Sequence, residues 1–216
     1  QMQEITALGA TILLTLYFFA TAGEPWFSNM PGLLRDVSWL GIVAIGAAVV
    51  MISGEFDLSV GSVFGWSAVL MWTLFNSGVA SLEIAFLLSM ACAVLIGLVN
   101  GLFVTRLKIP SFLVTLGMLL VVRGTALYVT DGFPQRTWDA GDQWIATLLV
   151  GDFYIGDFRV YMSTFWFILA AVIFGYLLTM TKVGNWIQAS GGNANSARAR
   201  GVQVSRTKVA LFMLTS

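Results

Sequence analysis

Ile52-Ser53-Gly54-Glu55-Phe56-Asp57-Leu58-Ser59-Val60-Gly61-Ser62 separates two apolar runs, Val37 to Ile52 and Val60 to Phe75. Each run has sixteen residues. A helix of that length reaches about 24 Å at 1.5 Å per residue, short of a hydrocarbon core of roughly 30 Å. The quoted stretch holds two carboxylates, two glycines and three serine hydroxyls. A carboxylate at the centre of a membrane helix costs on the order of 2.5–3.5 kcal/mol. The segment therefore reads as a broken helix facing protein or a water-filled cavity, or as a tight turn at the interface.

The rest of the composition agrees with a membrane setting. The chain is 58% hydrophobic and 10% charged, against about 25% charged in soluble domains. Net charge is zero, which gives no reason to expect nucleic-acid binding. There is no histidine, so the commonest general base and metal ligand is lacking. The single cysteine, Cys92, lies in an apolar run and reads as a buried, inert thiol. No phosphate-binding loop, metal-ligand spacing or nucleophile elbow is present. No metal, cofactor or catalytic site is expected, and the chain reads as a non-enzyme.

Working outward, Ile5 to Ala22 reads as a first span, stopped at Gly23-Glu24-Pro25-Trp26-Phe27. Pro31 and Arg35-Asp36 then suggest a wet loop before Val37. Ile84 to Val104 is a full-length span in which Ala93, Gly97 and Gly101 recur every four residues, a stripe where a second helix can approach closely. Asn100 lies beside it. Pro110 suits the first turn of a span running to Thr130, which contains Arg123. The region 131–160 is polar, with a short surface helix near Trp144 and a small hairpin around Phe153 to Phe158. Tyr161 to Met180 is another span. Gly191-Gly192-Asn193 reads as a turn and Asn193 to Ala199 as a short helix capped by Asn193. Val209 to Ser216 begins a seventh span that the chain does not complete. The expected fold is an all-α polytopic transmembrane helical bundle, a single domain over 1–216, with about six complete spans and a truncated seventh.

The cations set the orientation. Arg106 and Lys108 lie in one loop, and Lys182, Arg198, Arg200, Arg206 and Lys208 in another, with no acid in either. The positive-inside rule puts both loops, 181–208 included, in the cytoplasm. The N-terminus follows them there, and 131–160 faces the other side. Glu55, Asp57, Ser59, Asn100 and Arg123 are the polar residues available to line a solute path. Each has a structural alternative: Asp57 or Ser59 as a helix cap, Glu55 as a solvated interfacial charge, Asn100 as a helix–helix hydrogen bond, Arg123 as a structural bridge or a snorkelling cation.

Three stretches resemble the permease subunits of ATP-binding-cassette importers for ribose, xylose and similar monosaccharides, within the wider branched-chain amino-acid permease group. They are Gly54 to Ser62; Asn100 to Phe112 with Thr115-Leu116-Gly117 and Arg123-Gly124; and Thr181 to Gly184 with Ala189 to Asn193, Ala197 and Gly201-Val202. Their order and spacing agree over nearly the whole chain. Glu55 departs from the motif, which carries a small residue there. The resemblance implies a bacterial inner-membrane protein working with a periplasmic sugar-binding protein, a second permease chain (homo- or heterodimer) and a separate ATPase subunit. It also implies that Gly191, Gly192, Asn193, Ala197, Arg198 and Gly201 belong to a coupling helix seated on that ATPase, and that no cofactor is needed. The rival is an ion-coupled secondary transporter or channel with a coupling ion at the acidic break. An intramembrane enzyme is disfavoured by the missing histidine and metal set.

Overall fold

The computed structural model describes residues 2–134 and 143–216. Helices α1 (Met2–Ala22) and α2 (Glu24–Ile52) precede the break, and α3 (Val60–Asn76), α4 (Leu82–Thr105) and α5 (Ser111–Thr130) follow it. The short helix α6 (Trp144–Val150) and the hairpin β1 (Asp152–Ile155)–β2 (Phe158–Tyr161) lead into α7 (Met162–Met180). Then come α8 (Lys182–Gly192), α9 (Ala194–Ala199) and α10 (Val204–Thr215). The hairpin pairs Asp152 with Tyr161 and Ile155 with Phe158. Gly156, at φ 62°, supplies the positive φ that its two-residue turn needs. The protein is an all-α membrane protein with this one hairpin among the described residues.

Four helices have the length and apolarity to cross a membrane: α2, α4, α5 and α7. α3 and the Leu8–Ala22 part of α1 are apolar but shorter. Large apolar side chains such as Leu13, Leu87, Leu120 and Val172 are exposed along these helices, the faces that lipid would cover.

α4 is the central element, packed along α10 on one side and α3 on the other. Its small-residue stripe is what allows this. A Cβ on Gly97 would overlap the Phe212 carbonyl, and one on Gly101 would lie 2.8 Å from the Val209 Cα. Backbone approaches backbone there, as the four-residue spacing predicts. The main apolar cluster joins Val49 and Val50 of α2, Val104 of α4, Val114 of α5, Ile187 of α8, and Leu211 and Phe212 of α10. It draws its members from five helices.

Two local expectations are overturned. The wet loop before Val37 does not exist: α2 runs unbroken from Glu24, with Pro31 inside it. Pro25 at the helix start fits there because no intrahelical partner is missed. Arg35 and Asp36 project from the helix and pair with each other at 3.0 Å. The chain turns only at Gly23, at φ 58°. The Gly191-Gly192 turn is likewise absent, since α8 stays helical through Gly192. Residues 135–142 of the expected 131–160 loop lie outside the described residues.

Candidate functional site

The break starts with a helix stop. Gly54 N–H donates to Met51 O (3.0 Å) and Glu55 N–H to Val50 O (3.3 Å). With Gly54 at φ 82°, this is the paired-bond C-terminal motif that needs a left-handed residue, usually glycine. α5 then takes over the freed backbone. Phe56 N–H donates to Ser111 Oγ and Leu58 N–H to Thr115 Oγ1, both at 3.1 Å. Ser111 and Thr115 sit four residues apart and so share one helix face. Neither was singled out from the sequence, although their polar i, i+4 spacing at the start of an apolar helix is a usable signal.

Asp57 opens α3. Its Oδ1 accepts from Ser59 N–H (2.8 Å) and Ser59 Oγ–H (2.6 Å), a local turn that aspartate favours. Asn100 of α4, fully buried, donates from Nδ2 to Ser59 Oγ (3.0 Å). Asp57, Ser59 and Asn100 thus form one network joining α3 to α4. Asp57 Oδ2 and Asn100 Oδ1 are buried without a partner. Glu55 points elsewhere. It forms an ion pair with Lys208 Nζ of α10, and both side chains are about 85% buried, being 15% and 14% exposed.

The expected coupling residues divide between two roles. Gly191 lies at the break itself: a Cβ there would overlap the Ile52 carbonyl and sit 3.0 Å from the Gly54 amide. Ala197 is 4% exposed and faces inward. Asn193 caps α9 by accepting from the Asn195 and Ser196 amides at 3.1 and 3.0 Å, as the sequence suggests. Gly192 has open space at its Cβ position. Arg198 is exposed and donates to Asn195 Oδ1 (3.1 Å). Gly201, at φ 86°, turns the chain toward α10.

Arg123 stands apart. It is eight residues beyond Thr115 on α5, about 12 Å along the axis at 1.5 Å per residue. It lines an open groove of about 800 Å³ between α3 and α5, with Gly61, Ser62, Gly65, Trp66 and Trp72. Trp66 is oriented by donating from Nε1 to Cys92 Sγ (3.3 Å). Cys92 therefore has a partner and is only partly buried. Cβ atoms on Gly61 or Gly65 would meet nothing within 4 Å. Among the described residues Arg123 has no hydrogen-bond or ion-pair partner. No group of three metal-ligating side chains occurs among the described residues. The structure thus joins Asp57, Ser59 and Asn100, and leaves Arg123 outside that network, in a groove that reaches the break at Leu58 and whose tryptophans sequence inspection did not single out.

Residues 29–216 match the family described as branched-chain amino acid transport system, permease component. The chain is 30% identical to the xylose/arabinose import permease protein of Sulfolobus acidocaldarius, over 94% of this chain and 56% of the relative. It is 33% identical to the L-arabinose ABC transporter permease protein of Azospirillum brasilense, over 96% of this chain and 57% of the relative. It is 28% identical to the galactose/methyl galactoside import permease protein of Haemophilus influenzae, over 94% and 65%. The chain thus spans between 56% and 65% of the length of these relatives. No solved structure matches it.

Proposed function

The chain belongs to the branched-chain amino acid transport system permease family, and on that premise we propose that it is the permease subunit of an ATP-driven importer. Its solute is a monosaccharide or related small polyol, moved across the bacterial inner membrane by alternating access. The observation that carries this is the similarity, over 94–96% of this chain, to relatives named as xylose/arabinose, arabinose and galactose import permeases. A separate subunit hydrolyses ATP, a periplasmic binding protein delivers the sugar, and a second permease chain completes the path. The N-terminus and the 181–208 segment face the cytoplasm, and 131–160 faces the periplasm. α9 and the residues beside it, including Gly192 and Arg198, form the surface seated on the ATPase.

The groove between α3 and α5 is this chain's contribution to the path. Its volume of about 800 Å³ falls in the range of about 300–1,000 Å³ usual for small-molecule sites. Trp66 and Trp72 offer flat apolar faces, and Arg123 offers a fixed fork of donors. A ring bearing hydroxyl groups needs both. Full-length protein reconstituted with its ATPase and binding protein takes up sugar only when ATP is supplied. Uptake without ATP, driven by an ion gradient, overturns the proposal in favour of a secondary transporter.

A further inference from the structure

Between Gly191 and Lys208 the chain leaves the break, forms α9, and returns to the break. Gly191 rests its backbone on the Ile52 carbonyl and the Gly54 amide. Lys208, near the start of α10, forms the ion pair with Glu55. The two anchors fall on adjacent parts of one turn, since Gly54 and Glu55 are the residues that end α2. The other coupling residues, Gly192, Asn193, Ala197, Arg198 and Gly201, all lie between the anchors. On its other side the same turn hangs from Ser111 and Thr115 of α5, the helix that carries Arg123 and one wall of the groove.

From this geometry we infer that Glu55 and Lys208 are positioning residues for transport, a rigid link that makes the break follow α9. The inference rests on the reading of α9 as the ATPase-docking segment. One anchor alone is a pivot: the turn could rotate about Gly191 while α9 moved. A second, charged anchor a few ångströms away removes that freedom. The pair stays closed through the cycle, because parting it would strand two charges at sites where little water reaches. α10 adds stiffness, as its Phe212 and Val209 lie against Gly97 and Gly101 of α4 without intervening side chains.

The test uses the full-length permease assembled with its ATPase and binding protein in proteoliposomes. Glu55→Gln and Lys208→Met each lower sugar uptake at least tenfold. They leave ATP hydrolysis within about twofold of the parent, so ATP consumed per sugar rises. The exchanged pair Glu55→Lys with Lys208→Glu recovers at least a third of coupled uptake. Single variants that transport with the parental ratio, or an exchange that recovers nothing although the complex assembles, overturn the link. Should the single variants fail to insert, Glu55→Cys with Lys208→Cys decides the matter, read against a Cys92→Ser parent whose own coupled uptake is measured first, with the two thiols joined by a short bifunctional thiol crosslinker that spans the two lost side chains. A crosslink that preserves coupled uptake supports a rigid link. One that arrests uptake until it is cleaved overturns it. Failure of the underlying reading looks different: the parental complex then takes up sugar without ATP, or α9 cannot be crosslinked to the ATPase.

Discussion

The break and the groove hold the same kinds of residue to opposite ends. At the break, polar side chains are mostly occupied with the protein's own backbone and with each other, and the two atoms left without a partner there, Asp57 Oδ2 and Asn100 Oδ1, are sealed from solvent. Ser111 and Thr115 hold two amides, Asp57 holds Ser59, Ser59 receives Asn100, and Glu55 holds Lys208. In the groove, Arg123 has no partner among the described residues, and Gly61 and Gly65 leave space beside it. A polar group that is already satisfied stabilises the fold and has little left to offer a solute. One without a partner among the described residues, next to open volume, is placed to bind. The acidic segment that looks most chemical in the sequence is thus a joint, and the lone cation in an otherwise ordinary helix is the better candidate for solute contact.

The largest expected effect separates the two regions by glycine. Gly191→Val drives side-chain atoms into the Ile52 carbonyl, which belongs to backbone and cannot swing away. Overpacking of this kind costs about 1–3 kcal/mol or more, enough to lower the melting temperature in detergent by many degrees or to prevent recovery of folded protein. Gly65→Ala adds a methyl group to open space and gains about 0.5–1 kcal/mol of helix preference. Its melting temperature stays level or rises. Equal responses at the two positions would remove the distinction between joint and groove.

Next comes Arg123→Met, which keeps the length of the side chain and deletes its donors. Sugar uptake falls about tenfold, equivalent to about 1.4 kcal/mol, while the melting temperature is unchanged. Asp57→Ala behaves in the reverse way. It removes the acceptor of the Ser59 amide and hydroxyl, hydrogen bonds worth about 0.5–1.5 kcal/mol each, and lowers stability, and uptake per folded complex drops less than for Arg123→Met. Thermal unfolding and uptake measured on the same preparations decide between them. If Asp57→Ala abolished uptake at unchanged stability, the break would be the solute site after all.

Sequence inspection reached the features whose causes are local. The break was legible because carboxylates and glycines interrupt apolar runs where lipid tolerates neither. The α4 stripe was legible because four-residue spacing stacks Ala93, Gly97 and Gly101 on one face, and the start of α9 because Asn193 is a strong cap. Pro31 and Arg35-Asp36 misled for the opposite reason. Each is a local signal for a loop, yet a helix end reaching beyond the apolar layer can carry charges on its surface and absorb one proline. Long-range partners stayed hidden. Nothing near Glu55 points to Lys208, which is 153 residues away, and nothing near Gly191 says that its bare Cα must meet Ile52. The departure of Glu55 from the motif stood out in the sequence, but its reason lies in α10.

The smallest effect concerns a second ion pair, outside both regions, and it sharpens what burial does for the first. Asp152 and Arg159 face each other across the hairpin, Arg159 Nη2 2.8 Å from Asp152 Oδ1, with water reaching both. The hydrogen bond from Arg159 holds the Asp152 carboxyl below the usual carboxylate range. A carboxyl with a lowered folded-state pKa contributes stability that is fully present above its unfolded value of about 3.9. That contribution is lost as the pH falls through the lower folded value. Asp152→Asn should therefore cause a slight loss of hairpin protection in hydrogen exchange at pH 7, diminished by added salt. The difference from the parent should shrink as the pH is taken below 4. Glu55→Gln should be far less sensitive to salt, since its partner sits where counter-ions do not reach. A salt response as strong at Glu55 as at Asp152 would mean that water enters the joint, and that the two pairs differ in position but not in kind.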